Sequence, residues 1–249
     1  RSYTREAGVR ELERMVGTIC RKVARKRAEG LEETLMITPL ALPEYLKVRR
    51  YDYQKILSEG KVGRINGMVW SPQGGDILPI EVAILPAKEA KLTCTGRLGE
   101  TMKESAVAAL SWVRANTTML GIPEDFYEQK EIHIHAHSAA VPKDGPSAGV
   151  ALAACLVSAL TKRKIRHDLA VTGEISVHGE ILPIGGLKEK LLGAHRAGVH
   201  TVLIPKTNEP DLSEVPKEVF SAIEIHCFSY MYDTLPLILE EESSLYKND

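Results

Sequence analysis

The pattern of apolar residues changes character at Gly60–Gly67, and no other feature constrains the fold of this chain so strongly. Before that point one helical period dominates. Val9, Leu12, Met15, Val16, Ile19 and Val23 fall on a single stripe within residues 4–28, with Thr4 placed to cap the start. A short strand is expected at Leu35–Ile37, then a Pro-started segment (ALPEYLKV) and a polar linker reaching residue 58. After that point strand and helix patterns interleave. VAIL (Val82–Leu85) and KLTCTG (Lys91–Gly96) flank a short polar link and predict a hairpin. Helices are expected over 100–120, over SAGVALAACLVSAL, over GGLKEKLLGAHRAG as far as Gly198, and over 230–241. Strands are expected over 131–137, over LAVTGEISVHGEIL with a turn at Gly179, over HTVLIP and over IEIHCF. The fold class is therefore α+β: a small, mainly helical segment at 1–58, then a domain of mixed sheets and helices at 59–249.

Composition narrows the function classes. At 249 residues the chain is long enough to bury about 70–75% of its unfolded surface, so neither metal nor disulfide staples are required. Net charge is −1, which removes the simplest argument for a protein that coats nucleic acid. The run RKVARKR (Arg21 to Arg27) reads either as a weak nucleic-acid patch or as solvated cations at a helix C-terminus; the helix dipole favours the second. Four scattered cysteines with no CxxC pair argue against a structural zinc site and a disulfide framework, and Cys155 reads as a small core residue. No window approaches the roughly 18 apolar residues of a membrane span, and no leader pattern opens the chain. A reducing compartment and no membrane partner are expected. Arg1 stands without a preceding Met at the approach to a helix, which suggests a fragment of a longer protein.

Two helix starts carry the chemistry. In PKDGPSAG (Pro142–Gly149), Asp144 is placed to cap, Pro146 suits a first turn, and Gly145 lets backbone approach a ligand. Ser147 then stands at a helix N-terminus, where the N–H groups of Ser147 and Ala148 face a developing oxyanion. In GGLKEKLLGAHRAG, Leu187, Leu191, Ala194 and Gly198 share one helical face; Lys190 borders it, while Lys188 and Glu189 fall outside. Lys190 either snorkels to water or is desolvated. An ordinary lysine is neutral about once in a few thousand at pH 7, and lowering its pKa to near 7 takes about 4.6 kcal/mol of differential solvation. Burial supplies energies of that size, and a neutral amine can take a serine proton. Thr172, in VTGEI, is placed to orient that amine.

PKDGPSAG, TGEI (Thr172–Ile175) and LPIGGLKEKLLGAHRAG, with YTREAGVRELER, GGDIL and LTCTGRLGETMKES in order, resemble the proteolytic domain of the ATP-dependent Lon proteases of the bacterial LonA type. The resemblance implies a Lon-type serine peptidase fold behind the end of an AAA+ helical subdomain. It implies Ser147 as nucleophile and Lys190, 43 residues later, as general base, with Thr172 contacting the lysine. It places Asp144 in a loop that rearranges between inactive and active states, and makes Arg10 a nucleotide sensor in the full-length protein. It implies cleavage of unfolded or damaged polypeptides, a homo-oligomer assembled as a hexameric ring, and a bacterial cytoplasmic location, with the mitochondrial matrix as the alternative. The peptidase step needs no cofactor or metal. ATP and Mg²⁺ would bind through a P-loop, and no G-x-x-x-x-G-K-[ST] occurs in this chain.

Three other readings compete. GPSAG satisfies the nucleophile elbow G-x-S-x-G of a Ser-His-Asp hydrolase, with Asp168 or Glu174 and then His178, His195 or His200 as partners. The loop SAAVPKDGP before Ser147 is too long for the sharp elbow turn. His133, His135 and His137 share one face of a strand, where they read as metal ligands or as ordinary strand histidines. A non-catalytic peptide-binding or oligomerisation module is the third.

Overall fold

A computed structural model describes residues 2–4, 6–30, 32–49, 56–137 and 143–241. Linker residues 50–55 and loop residues 138–142, both expected as connections, lie outside the described residues. The chain divides into two compact units: residues 1–54 with 71–74, and residues 55–70 with 75–249.

The first unit holds α1 (Arg10–Ala28) and α2 (Leu42–Leu46). The helix starts six residues after Thr4, which does not cap it; the Glu6 carboxylate instead accepts the N–H groups of Glu11 at 2.8 Å and Leu12 at 2.9 Å. A carboxylate satisfies two orphan donors and the positive helix end at once, which one threonine hydroxyl cannot. The apolar stripe forms on one face but buries nothing in this unit: Val9, Leu12 and Val16 are exposed. No strand forms at Leu35–Ile37. Among the described residues nothing pairs with that backbone, and an isolated three-residue strand has no ladder to stabilise it. The basic run is partly engaged locally. Lys22 Nζ donates to the Tyr45 carbonyl at 2.6 Å, Lys26 pairs with Glu44, and Arg25 pairs with Glu29 at 2.8 Å.

The second unit is built on a mixed sheet. In chain order its strands and helices are β1 (Lys61–Val62), β2 (Arg64–Ser71), β3 (Gly74–Pro86), β4 (Lys91–Thr95), α3 (Glu100–Ala115), α4 (Thr117–Leu120) and β5 (Lys130–Ala136). Then come α5 (Gly149–Thr161), β6 (Lys164–Ile165), β7 (Leu169–Val171), β8 (Glu174–Ile175), β9 (Ile181–Leu182) and α6 (Leu187–Ala197). The chain closes with β10 (Thr201–Pro205), α7 (Lys217–Phe220), β11 (Glu224–Phe228) and α8 (Met231–Ile238). The main sheet has seven strands in the order β11-β10-β7-β2-β3-β5-β4. β11, β10, β7 and β2 run parallel, β5 runs antiparallel to β3, and β4 runs parallel to β5. β8 and β9 form a separate antiparallel ribbon turned at Gly179, whose φ is +86°.

The expected hairpin between β3 and β4 does not form, because β5 inserts between them. The reason is burial. Ile132, Ile134 and Ala136 of β5 are fully buried and need strands on both sides. β4 buries no residue fully and takes the edge, returning to β5 through helix α3 as a parallel crossover.

Helices cover both faces. α3, α5 and α8 pack on one, where Ala106, Ala109 and Val113 meet an α5 buried throughout from Gly149 to Ala159. On the other, Leu187, Leu191 and Ala194 of α6 pack with Met68, Ile77, Ala170 and Val202 of the sheet. Ser147 enters from the first layer and Lys190 from the second, and the loop after β7 lies between their helices.

Candidate active site

Ser147 occupies a single 3-10 turn, Pro146–Ala148, that feeds α5. The turn needs Gly145, whose φ of +125° lies in the left-handed region where side chains are strained. The loop after β7 fixes the turn. The Ser147 carbonyl accepts Gly173 N–H at 3.0 Å and Thr172 Oγ1–H at 3.2 Å, and Val150 N–H donates to the Gly173 carbonyl at 3.0 Å. Gly149 lets α5 approach β8; a Cβ there would meet Ile175 at 2.8 Å.

Lys190 is among the largest fully buried side chains, with 1% of its surface exposed. The wheel placed it beside the apolar stripe, and the structure closes that border over it. Lys188 on the other side is exposed. Among the described residues the amine donates one hydrogen bond, to Thr172 Oγ1 at 3.1 Å. Burial pulls its pKa down from 10.5 to about 8, with no charged neighbour contributing. Thr172 is itself 1% exposed, and its backbone N–H donates to Leu203 of β10 at 3.1 Å. One threonine hydroxyl therefore touches both the buried amine and the carbonyl of Ser147. The hydroxyl of Ser147 has no hydrogen-bond partner among the described residues, and no direct hydrogen bond joins it to Lys190.

Asp144 does not cap its own helix. Its Oδ1 accepts Met102 N–H at 3.1 Å and so caps α3, whose own N-cap residue Gly99 has no side chain to do it. Lys143 and the 97–99 loop complete this joint, with Gly99 N–H donating to the Lys143 carbonyl at 2.7 Å. The same Oδ1 accepts Gly145 N–H at 2.9 Å. That engages one of the turn's amides, and Pro146 has none. Asp144→Ala should lower stability by about 1 kcal/mol, the usual worth of a cap, as measured by chemical denaturation.

The rival constellations do not assemble. Among the described residues no ring nitrogen of His178, His195 or His200 bonds to Ser147 or to Asp168, and the Asp168 carboxylate is held by Arg166 Nη2 at 2.8 Å. His133 and His135 share one face, as strand alternation requires. Their rings meet Thr95 Oγ1 from Nε2 at 2.9 Å and from Nδ1 at 2.8 Å, and His137 meets Glu81 at 3.0 Å. No group of three His, Cys, Asp or Glu able to hold a metal occurs among the described residues. No helix among them is long and apolar enough to cross a membrane. Arg10 is exposed at the start of α1.

The sequence is similar to known proteins along nearly its whole length. A family model for the Lon protease (S16) C-terminal proteolytic domain matches residues 36–241, and one for the Lon protease AAA+ ATPase lid domain matches residues 1–35. The chain is 49% identical over 247 residues to the Lon protease of Escherichia coli K12, covering 98% of this chain and 31% of that protein. It is 49% identical over 245 residues to the Lon protease of Erwinia amylovora, and 48% over 243 residues to that of Vibrio parahaemolyticus; these cover 96% and 97% of this chain and 31% of each relative. The chain thus spans about a third of the length of the curated relatives it matches. It belongs to the Lon protease family and carries that family's serine endopeptidase domain behind its ATPase lid.

Proposed function

We propose that this chain is the proteolytic portion of an ATP-dependent protease and hydrolyses internal peptide bonds with Ser147 as nucleophile and Lys190 as general base. The observation that carries this is an amine with 1% of its surface exposed and hydrogen-bonded to a hydroxyl, two bonds of a shared network from the nucleophile's peptide. With a pKa of about 8, a sizeable minority of that amine is neutral at pH 7.5, against about one in a thousand for an exposed lysine. As substrate seats, the Ser147 Oγ must come within hydrogen-bond reach of Nζ. The neutral nitrogen takes the hydroxyl proton while Oγ bonds to the carbonyl carbon. The Ser147 and Ala148 amides hold the oxyanion. The ammonium then gives its proton to the leaving amine as the C–N bond breaks, and water repeats the cycle on the acyl-enzyme. Thr172 keeps the amine aimed between these steps, and Asp144 and Gly145 hold the turn.

In the full-length protein, a nucleotide-binding part, with Arg10 sensing the bound nucleotide, would use ATP and Mg²⁺ to unfold damaged polypeptides and feed a ring of copies, six by the family pattern, in a bacterial cytoplasm. This chain alone cleaves small or already unfolded peptides. No nucleic-acid partner is proposed, since the basic run is partly spent on α2 and its own helix end.

The pH dependence tests the base. Hydrolysis of a fluorogenic peptide should rise through a midpoint near 8 and level off about one and a half units higher. A rate flat from about pH 6 to 10 would remove the lysine from the role.

A further inference from the structure

The base sits one turn inside α6, so its position is only as good as that helix's first turn. α6 has no side-chain cap of its own: its N-cap residue, Gly186, has φ +69° and carries no hydrogen-bonding side chain. An uncapped, glycine-started helix end frays unless something else holds it. Asn208 supplies that hold from another part of the chain. It lies in the 3-10 segment Lys206–Glu214 that follows β10, and it is 4% exposed.

Its side chain copies a strand partner. Oδ1 accepts Ile184 N–H at 2.9 Å, and Nδ2 donates to the Ile184 carbonyl at 2.9 Å. The second Nδ2 hydrogen goes to Asp211 Oδ2 at 2.7 Å, which fixes which way the amide faces. Both Nδ2 hydrogens are used, and Oδ1 faces a donor. Ile184 immediately precedes Gly185–Gly186, and Gly186 accepts the Lys190 N–H at 3.0 Å. Two more contacts press on the same turn. The Trp70 ring lies where a Gly186 Cβ would be, within 2.6 Å, and Gly75 abuts the Glu189–Lys190 peptide so closely that a Cβ would meet the Glu189 carbonyl at 1.8 Å.

We propose that Asn208, oriented by Asp211, is a positioning residue for the reaction: it anchors the Ile184–Gly186 entry to α6 and thereby sets where the Lys190 amine meets Thr172 and Ser147. The inference rests on Lys190 being the base. Sequence alone gave no hint of it, because KTNEPD reads as an ordinary polar turn.

The test compares four proteins on a fluorogenic peptide from pH 6 to 10: wild type, Lys190→Ala, Asn208→Asp and Asp211→Asn. Asn208→Asp keeps the size and the acceptor, but turns an oxygen toward the Ile184 carbonyl and Asp211. It should lower kcat by about 30-fold or more with KM changed less than about threefold, as a misplaced catalytic group does. The midpoint of its rising limb should move up by about one pH unit, as α6 loosens and water reaches the amine. Asp211→Asn exchanges the charged acceptor for a neutral amide oxygen, so it weakens only the orienting bond and should shift the limb the same way by a smaller amount. It decides the matter if Asn208→Asp does not fold. A role in stability alone would lower the unfolding temperature and leave the limb where it is. Limbs within about 0.2 unit of wild type in the folded variants, with Lys190→Ala inactive, would overturn the positioning role while sparing the base. An active Lys190→Ala would instead overturn the base, and this inference with it.

Discussion

Lys190→Ala should abolish peptide cleavage, lowering kcat by at least about 10³-fold, while Lys188→Ala leaves it within about twofold. Both substitutions remove one positive charge from the same helix, two residues apart, so charge alone predicts equal effects. The structure separates them. Lys188 is exposed to water, whereas Lys190 is buried against Thr172. Only the second has the desolvation that leaves part of the amine neutral near pH 8. Ser147→Ala should match Lys190→Ala, and the double variant should be no worse than either, because residues that act as one unit do not add. Steady-state kinetics on a short unfolded peptide, with far-ultraviolet circular dichroism to confirm folding, makes the comparison. Equal losses for Lys188→Ala and Lys190→Ala would contradict the assignment.

The second large effect runs the other way. Lys190→Met should make the protein more stable while making it inactive. The folded-state pKa of about 8 lies below the unfolded value, so the fold disfavours the charged form. Below pH 8 both states carry the proton and the full burden is present, about 3 kcal/mol at 1.4 kcal/mol per pKa unit. It fades as pH rises from 8 toward the unfolded value near 10.5. Methionine has similar length and no charge, and forfeits one hydrogen bond to Thr172, worth about 1 kcal/mol. A net gain of about 2 kcal/mol at pH 7 should therefore appear in denaturant titrations, shrinking toward zero by about pH 10. A loss of stability at pH 7, or a gain independent of pH, would show that burial is not what lowers the amine's pKa. Function held at the expense of stability is expected at a site that needs a strained charge.

The sequence made the site legible where local rules and the family resemblance agreed. A serine at a Gly-Pro helix start, and a lysine on the edge of an apolar stripe, require only helical spacing to be placed. The stop of α6 at Gly198, at φ +83°, was readable for the same reason. What escaped was long-range. β4 pairs with a strand some forty residues on because β5 buries both flanks, and no local pattern distinguishes that from a hairpin. Asp144 looked like the cap of its own helix and proves to cap α3 across the fold. Glu6 displaced Thr4 because a carboxylate reaching back to two amides outcompetes a hydroxyl placed too early. Asn208 left no trace, since a single polar residue in a turn has no period to betray it. Gly75, in GGDIL, and Gly193, in α6, are the available sequence signal that backbone meets backbone near the base.

The central claim is that one buried amine is neutral often enough to act as a base. Its most direct measurement is the titration of Lys190 by carbon NMR at Cε, assigned by loss of the signal in Lys190→Met. A midpoint near 8 is expected, set apart from the other lysines. A midpoint above about 10, with the bulk of the lysines, would contradict the account whatever the kinetics show.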